Sequence, residues 1–390
     1  MNEIYLYQEQ GQFFGQLGAG AEELGVQELT NLGARNARVG YRGVHFEADP
    51  ATLYAIIYQC RLFTRILAPL FRFDCHSANY LYKRALDMDW QQLLSLDQTF
   101  SIQAVTVHSA IHHSRFAALK LKDAIADHFR QATGERPSVD ARDADVALHL
   151  YIERNRAVIS LDLSAGSLHR RGYRVAKVDA PMQETTAATL VAASGWTGEL
   201  PLIDPFCGSG TILCEAWMAA CQIPTGVLRT RNGLTSLPDY DSRLWQQVKA
   251  QCDSRIQVPP TLQIRGSDID SSAVAAARQN LAKLPEGKRV EVSVADARKL
   301  RLETPHQIIT NPPYGVRIGD ADKVRTLLKD FGDTLKQHCA GSQACIYYGE
   351  PGHMKSLGLK PHMRQPLQHG GLDGQCAQYR LFAGPARPPQ

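Results

Sequence analysis

The chain lacks several features that would place it quickly. Its first residues, MNEIYLYQEQ, carry neither a basic start nor an apolar run, so no secretory leader is read there. No uncharged apolar stretch approaches the roughly 18 residues that span a bilayer. The cytoplasm is therefore the expected compartment, with no membrane partner. Nine cysteines occur, but there is no CxxC pair and no Cys/His cluster at zinc spacing, so no metal is expected. Cys60, Cys214 and Cys221 sit among apolar helical residues and read as reduced core cysteines. No GK[ST] follows a glycine loop, which excludes a P-loop. The stretch Gly208-Ser209-Gly210-Thr211-Ile212-Leu213 lacks the third glycine of a dinucleotide fingerprint. Neither sign of charge dominates: 43 Lys+Arg against 39 Asp+Glu leave a formal net charge of +4. That balance permits a polyanionic partner without arguing for one. Internal repeats and low-complexity tracts are missing too.

What remains is an ordinary globular composition, 44% hydrophobic and 21% charged over 390 residues. The length suggests two or three domains at roughly 100–200 residues each. Residues 1–75 read as small alternating elements. EIYLY reads as a strand, AEELGVQELTNLG as a helix ending at Gly33, and ARVGYRGVHFEA as two strands turning at Tyr41-Arg42-Gly43. Asp49 and Pro50 open a helix as N-cap and first residue, and PLFRFDC closes the unit as a strand. The order β-α-β-β-α-β predicts a ferredoxin-like domain. Residues 76–165 predict a second α+β domain. Its helix SANYLYKRALDMDW is capped by Ser77, TFSIQAVTV is a strand, and the long helix beginning SRFAALK stops at Gly134. A strand pair follows, turning near Arg154-Asn155. Residues 166–199 connect to the next part and contribute the helix QETTAATLVAASG. From 200 to 384 strands and helices alternate, which predicts a parallel, doubly wound sheet. Residues 385–390 are expected to be a disordered tail.

Ligands of open α/β sheets bind beyond the carboxyl ends of the strands. Four groups fall there in order. DPFCGSGT, Asp204 to Thr211, supplies a sharp glycine turn and the free N–H groups of a helix start, though a purely structural turn fits as well. In GSDIDSS, Asp268 or Asp270 stands where a ribose-binding carboxylate would, and either also suits a helix N-cap. In VADAR, Asp296 suits an adenine amino group or a surface turn. The fourth is Asn311-Pro312-Pro313-Tyr314. Its prolines cannot continue a central strand. An exocyclic amine lends its lone pair to its ring and is a poor nucleophile. Two acceptors on its N–H groups, the Asn311 side-chain oxygen and the Pro312 carbonyl, would aim the lone pair at an electrophile and stabilise the charge developing on nitrogen. Tyr314 offers a face for a base to stack on.

The ordered set DPFCGSGT, SDID, ADA, NPPYG resembles the class I S-adenosylmethionine-dependent methyltransferases of the amino-methylating branch. That resemblance implies a Rossmann-like C-terminal sheet with S-adenosylmethionine as cofactor. It implies Asp204, Pro205, Cys207, Gly208, Gly210 and Thr211 near the methionine moiety, Asp268 on the ribose, and Asp296 with Ala297 near the adenine. It further implies Asn311, Pro312, Pro313 and Tyr314 as the catalytic loop, and Glu184 in a segment packed beside the cofactor.

The same loop serves DNA adenine, RNA adenine, RNA guanine and protein glutamine methylation, so the front half must choose. AIHHSRFAALKLKDAIADHFRQATGERPSVD, ISLDLSAGSLHRRGYR and SLPDYDSRLWQQV resemble the THUMP-containing RNA guanine-N2 methyltransferases. The match is to the bacterial type that modifies 23S ribosomal RNA, without a second fused methyltransferase. The resemblance implies structured RNA, 23S rRNA or a pre-ribosomal particle, as partner. LQHGGLDGQCAQYRLF resembles the family's C-terminal hairpin, but His369-Gly370-Gly371 stands where the family usually has Tyr-Asn-Gly. Candidate phosphate contacts are Arg115, Lys120 and Lys122 on one helix, and His169, Arg170, Arg171 and Arg174 in HRRGYR. A solvated helix face accounts for Lys120 and Lys122 equally well; HRRGYR is harder to read that way, an interdomain salt-bridge segment being its alternative. Two other functions stay open: adenine-N6 methylation through the same loop, and an RNA-binding assembly factor without catalysis.

Overall fold

The computed structural model describes residues 4–176, 181–314, 321–369 and 371–382. The expected tail, Gly315 of the NPPYG motif and Gly370 of the hairpin tip lie outside the described residues. The chain forms two compact units. One contains residues up to Leu17, Val26–Leu168 and Arg229–Ala250; the other contains Gly18–Gly25, His169–Leu228 and everything from Gln251 on.

The first unit begins α1 (Leu6–Gln10), β1 (Gln12–Gln16), α2 (Glu22–Asn31, in this unit from Val26 on), β2 (Arg35–Gly40), β3 (Gly43–Glu47), α3 (Pro50–Gln59) and β4 (Arg65–Asp74). Residues 4–7 of EIYLY are thus not a strand, and Glu3 lies outside the described residues. The Gln8 side chain accepts from the Tyr5 N–H at 3.1 Å, and Gly11, at φ 60°, ends the single helical turn. Tyr5 and Tyr7 are buried on this turn, which an alternating-strand reading of the same residues does not anticipate. Asp49 caps α3 as expected, accepting from the Thr52 N–H at 2.8 Å. The unit continues with α4 (Ala78–Leu86), β5 (Thr99–Val107), α5 (Ser114–Thr133), β6 (Ser138–Val139), β7 (Val146–Glu153) and β8 (Arg156–Asp162). Ala117, Leu121, Ala124, Ile125 and Phe129 make one buried stripe on α5 at helical spacing. Arg154 and Asn155 both take positive φ, 48° and 60°, the two-residue turn whose twist suits a hairpin.

The strand order is β2-β3-β1-β4-β8-β7-β5-β6. The ferredoxin-like strands and the next domain's strands therefore share one eight-stranded sheet, joined where β4 runs antiparallel to β8. Residues 229–250, read from sequence as part of the C-terminal domain, fold in this unit. Tyr54 Oη accepts from the Asp241 N–H at 2.9 Å, and Trp245 meets the Tyr58 ring edge-on at 5.6 Å.

The second unit contains α6 (Glu184–Ala193), β9 (Leu202–Asp204) and α7 (Thr211–Ala220). After α8 (Ser242–Asp253), which begins in the first unit, come β10 (Ile264–Asp268), α9 (Ser271–Leu281), β11 (Glu291–Val294), β12 (Gln307–Thr310), α10 (Ala321–His338), β13 (Gln343–Tyr348), β14 (Met363–His369) and β15 (Leu372–Arg380). The sheet order is β11-β10-β9-β12-β13-β15-β14. The first five strands are parallel as expected. The sheet is nevertheless mixed, because β15 runs antiparallel to both β13 and β14. The hairpin connection is too short for the crossover that a parallel pair needs. Pleating sends Ala344, Ile346 and Tyr348 into one core with Val324, Leu328 and Phe331 of α10. Cys345 points the other way, its thiol 3.8 Å from the Leu190 carbonyl of α6. All nine cysteines are buried and unbridged. No described helix is long and apolar enough to cross a membrane.

Candidate active site

The carboxyl ends of the parallel strands open into a cavity of about 980 Å³. Asp204 ends β9. Its Oδ1 accepts from Thr310 Oγ1 at 2.6 Å and from the Phe206 N–H at 3.1 Å. Its Oδ2 is buried and has no hydrogen-bond partner among the described residues. Burial pushes this carboxyl up to about 7, against those two hydrogen bonds, which pull it down. The chain then turns through Gly208 (φ 52°) and Gly210 (φ 79°) into α7. Gly208 faces open space where a Cβ would stand, so the backbone itself borders the cavity. Gly210 sits behind the wall, and a Cβ there would come within 2.9 Å of Ala277.

The alternatives at the second strand end separate by geometry. Asp270 Oδ1 accepts from the Ser272 N–H at 2.8 Å and caps α9. Asp268 lines the cavity instead, holding the Gly208 N–H at 2.9 Å on one oxygen and the Asp270 N–H at 3.0 Å on the other. Asp296 also lines the cavity, with its carboxylate clasped by Arg298 at 2.7 Å. Pro205, Cys207, Thr211 and Ala297 line it as well. Burial pushes the Cys207 thiol well up, so it stays protonated.

Asn311 to Tyr314 continue the lining at the end of β12, the neighbour of β9. Asn311 Oδ1 is buried and has no hydrogen-bond partner among the described residues. A buried acceptor left unmade costs about 1–3 kcal/mol, so this position favours a ligand that donates. Tyr314 packs on the Gly349 backbone, where a Cβ would come within 2.2 Å of the ring. Its ring meets Tyr347 edge-on at 6.1 Å, and Tyr347 meets His369 edge-on at 6.1 Å.

Two residues of the basic run do not face solvent. Arg171 is 1% exposed and pairs with the fully buried Glu215 at 3.4 Å, with Tyr173 Oη donating to the same carboxylate at 2.9 Å. Arg174 donates to Glu184 at 2.9 Å, to the Met182 carbonyl at 2.9 Å and to Thr211 Oγ1 at 3.1 Å. Neither guanidinium is available to a phosphate; sequence alone could not show that both turn inward to meet buried glutamates. Glu184 stands behind the cavity and acts on the glycine loop through Arg174. His169 is half-buried and burial lowers its pKa, so it brings no charge at neutral pH, while Arg170 is exposed. On α5, Arg115 is exposed, Lys122 pairs with Asp123 at 2.7 Å, and Lys120 lies over the Phe116 ring at 5.7 Å.

Two contributors, Asn280 and Glu350, escaped the sequence reading, while His369 was noted there only as a departure at the hairpin tip. Fully buried Asn280 donates to the Ser209 carbonyl at 3.0 Å and so ties α9 to the glycine loop. Its signal was a polar residue on the apolar face of α9. Glu350 and His369 also line the cavity. Glu350 carried the signal of a fifth strand end.

The residues fit S-adenosylmethionine. An orphaned buried carboxylate oxygen suits its cation, bare glycine backbone suits its close approach, and Asp268 keeps a carboxylate at the second strand end. The sheet order, the glycine loop and the NPPY wall together define a class I methyltransferase fold. Residues 171–374 match the RMKL-like methyltransferase domain, 75–162 the THUMP domain and 12–67 the RlmL ferredoxin-like domain. The chain belongs to the RMKL-like methyltransferase family, and its cofactor is S-adenosylmethionine. A Synechocystis protein named for RNA methyltransferase activity is 36% identical over 95% of this chain and 97% of its own length. The ribosomal RNA large subunit methyltransferase K/L of Shewanella amazonensis is also 36% identical, over 96% of this chain. This chain spans only 54% of that relative. Among solved structures, a Clostridium difficile protein described as a possible methylase superposes with TM-score 0.85 at 26% identity, covering 98% of this chain and 100% of its own.

Proposed function

We propose that this chain transfers a methyl group from S-adenosylmethionine to the exocyclic N2 amine of a guanine in structured RNA, with large-subunit ribosomal RNA as substrate. The orphaned Oδ1 of Asn311 carries the amine part of this reading. It is a buried acceptor at the one loop that an aromatic amine would approach, and an N–H of that amine satisfies it. The Pro312 carbonyl takes the second N–H. With both hydrogens held, the nitrogen lone pair withdraws from conjugation with the ring and turns to the electrophile. The prolines fix both acceptors, and Tyr314 stacks the base once it leaves its helix, at a cost of about a few kcal/mol. S-adenosylmethionine, when bound, supplies an electrophilic methyl on a sulfonium. Asp204, Pro205, Cys207, Gly208 and Thr211 border the methionine part, Asp268 the ribose, and Asp296 with Ala297 the adenine. The surplus proton of the methylated amine goes to solvent.

The choice of RNA draws on the THUMP match and on the names of the relatives. Arg115, Lys120, Lys122 and Arg170 are the proposed phosphate contacts, with His169 as a neutral donor beside them. The loop assignment is tested by Asn311→Ala. Turnover on RNA should fall at least about 100-fold while cofactor affinity by calorimetry stays within about twofold. Equal loss of both would show a loop that only shapes the pocket.

A further inference from the structure

The NPPY wall accepts hydrogen bonds from any exocyclic amine, so it cannot tell guanine from adenine. β13 runs parallel and adjacent to β12, with Ile346 opposite Thr310. Neighbouring strands lie about 4.8 Å apart. Asn311 follows β12 directly, and Gly349-Glu350 follow β13, so the two side chains rise from the same edge of the sheet. Both line the cavity. The Tyr314 ring lies on Gly349, immediately beside Glu350.

Among the described residues the Glu350 carboxylate makes no polar contact shorter than 3.6 Å, the distance to His353. Glu350 occupies the N-cap position of the short 3-10 turn Pro351–Leu357, yet its side chain makes no cap hydrogen bond. That side chain is 51% exposed.

We propose that Glu350 is the residue that selects guanine over adenine at this site. The proposal rests on the reading that the substrate is a guanine amine. Next to its N2 amine, guanine presents the N1–H donor. Next to its N6 amine, adenine presents the bare N1 lone pair. An ionised carboxylate only accepts. Glu350 therefore takes a charge-assisted hydrogen bond from guanine N1–H and repels adenine N1. A site built to hydrogen-bond a group rejects an analogue lacking it far more strongly than a missing methylene is rejected.

The test uses the full chain and an RNA carrying the mapped target guanine, or 2,6-diaminopurine at that position. The analogue keeps the N2 amine but has an acceptor at N1. Wild type should prefer guanine by roughly 100-fold in kcat/KM. Glu350→Gln, whose amide donates to N1, should lower that preference at least about tenfold, with the cofactor Kd unchanged. Glu350→Asp, which keeps the carboxylate, should turn over more slowly and keep the preference. If Glu350→Gln keeps the wild-type preference, or if Glu350→Asp loses it as Gln does, the assignment is overturned and the guanine reading stands. If wild-type protein forms no N2-methylguanosine in any RNA, both fall together.

Discussion

Arg174 donates to the Glu184 carboxylate across 2.9 Å, and the same guanidinium reaches Thr211 of the glycine loop at 3.1 Å. The pair joins the start of α6 to the start of α7 from behind the cofactor cavity. Lys at 174 keeps the charge but not the planar fork that serves several acceptors at once. Arg174→Lys should weaken S-adenosylmethionine binding by about tenfold, or about 1.4 kcal/mol, with RNA affinity unchanged. Calorimetry with cofactor and filter binding with RNA check the two halves.

Arg171 makes the opposite case to the one its sequence suggests. It is 1% exposed and faces a glutamate that is 0% exposed. Removing one partner of a buried pair costs about 3–5 kcal/mol. Arg171→Met should lower the unfolding free energy by that amount, read as an earlier midpoint in denaturant, while the folded variant binds RNA as wild type does. Arg170→Ala, at the exposed neighbour, should weaken RNA binding and leave stability alone.

The contrast between these arginines shows where sequence was legible. Periodicity and capping placed most helices and strands, because Asp49, Ser77 and Gly134 act on backbone within a few residues of themselves. The four strand ends were legible for the same reason: each is a local motif at a fixed place in an α/β chain. Other features depend on long-range partners and left no local trace. Arg171 meets Glu215 44 residues away, and Asn280 reaches Ser209 across 71. The antiparallel turn of β15 and the folding of residues 229–250 with the first unit are of that kind too. EIYLY failed for a different reason: its alternation is real, but Gly11 and the Gln8 side chain favour one helical turn.

Asp204 should make cofactor binding sensitive to pH. Burial raises its carboxyl to about 7 in the cofactor-free fold. Below that pH it is protonated, and above it is ionised. The bound cation favours the ionised form, so affinity should rise as pH increases through about 7. Asp204→Asn should bind more weakly and show a flat profile from about pH 6 to about pH 8. Calorimetry across that range checks both.

His149 sets an acid limit on the first unit. It is 4% exposed on β7, neither ring nitrogen has a hydrogen-bond partner among the described residues, and burial lowers its pKa to about 4. The folded state holds it neutral, while the unfolded chain takes a proton near the ordinary 6.5. Its contribution is therefore fully present above about pH 6.5 and is lost as pH falls towards 4, by up to about 3 kcal/mol. His149→Phe should unfold at higher denaturant than wild type at about pH 5, with the gap narrowing at about pH 7. Denaturant melts at the two pH values measure it.

The central claim is methylation of a guanine N2 amine in RNA. It is tested most directly by nucleoside mass spectrometry of large-subunit ribosomal RNA from a strain lacking this gene, after incubation with purified protein and S-adenosylmethionine. N2-methylguanosine should appear at one mapped position with wild type and not with Asn311→Ala. N6-methyladenosine in its place, or cofactor binding with no methylated nucleoside in any RNA, would contradict it.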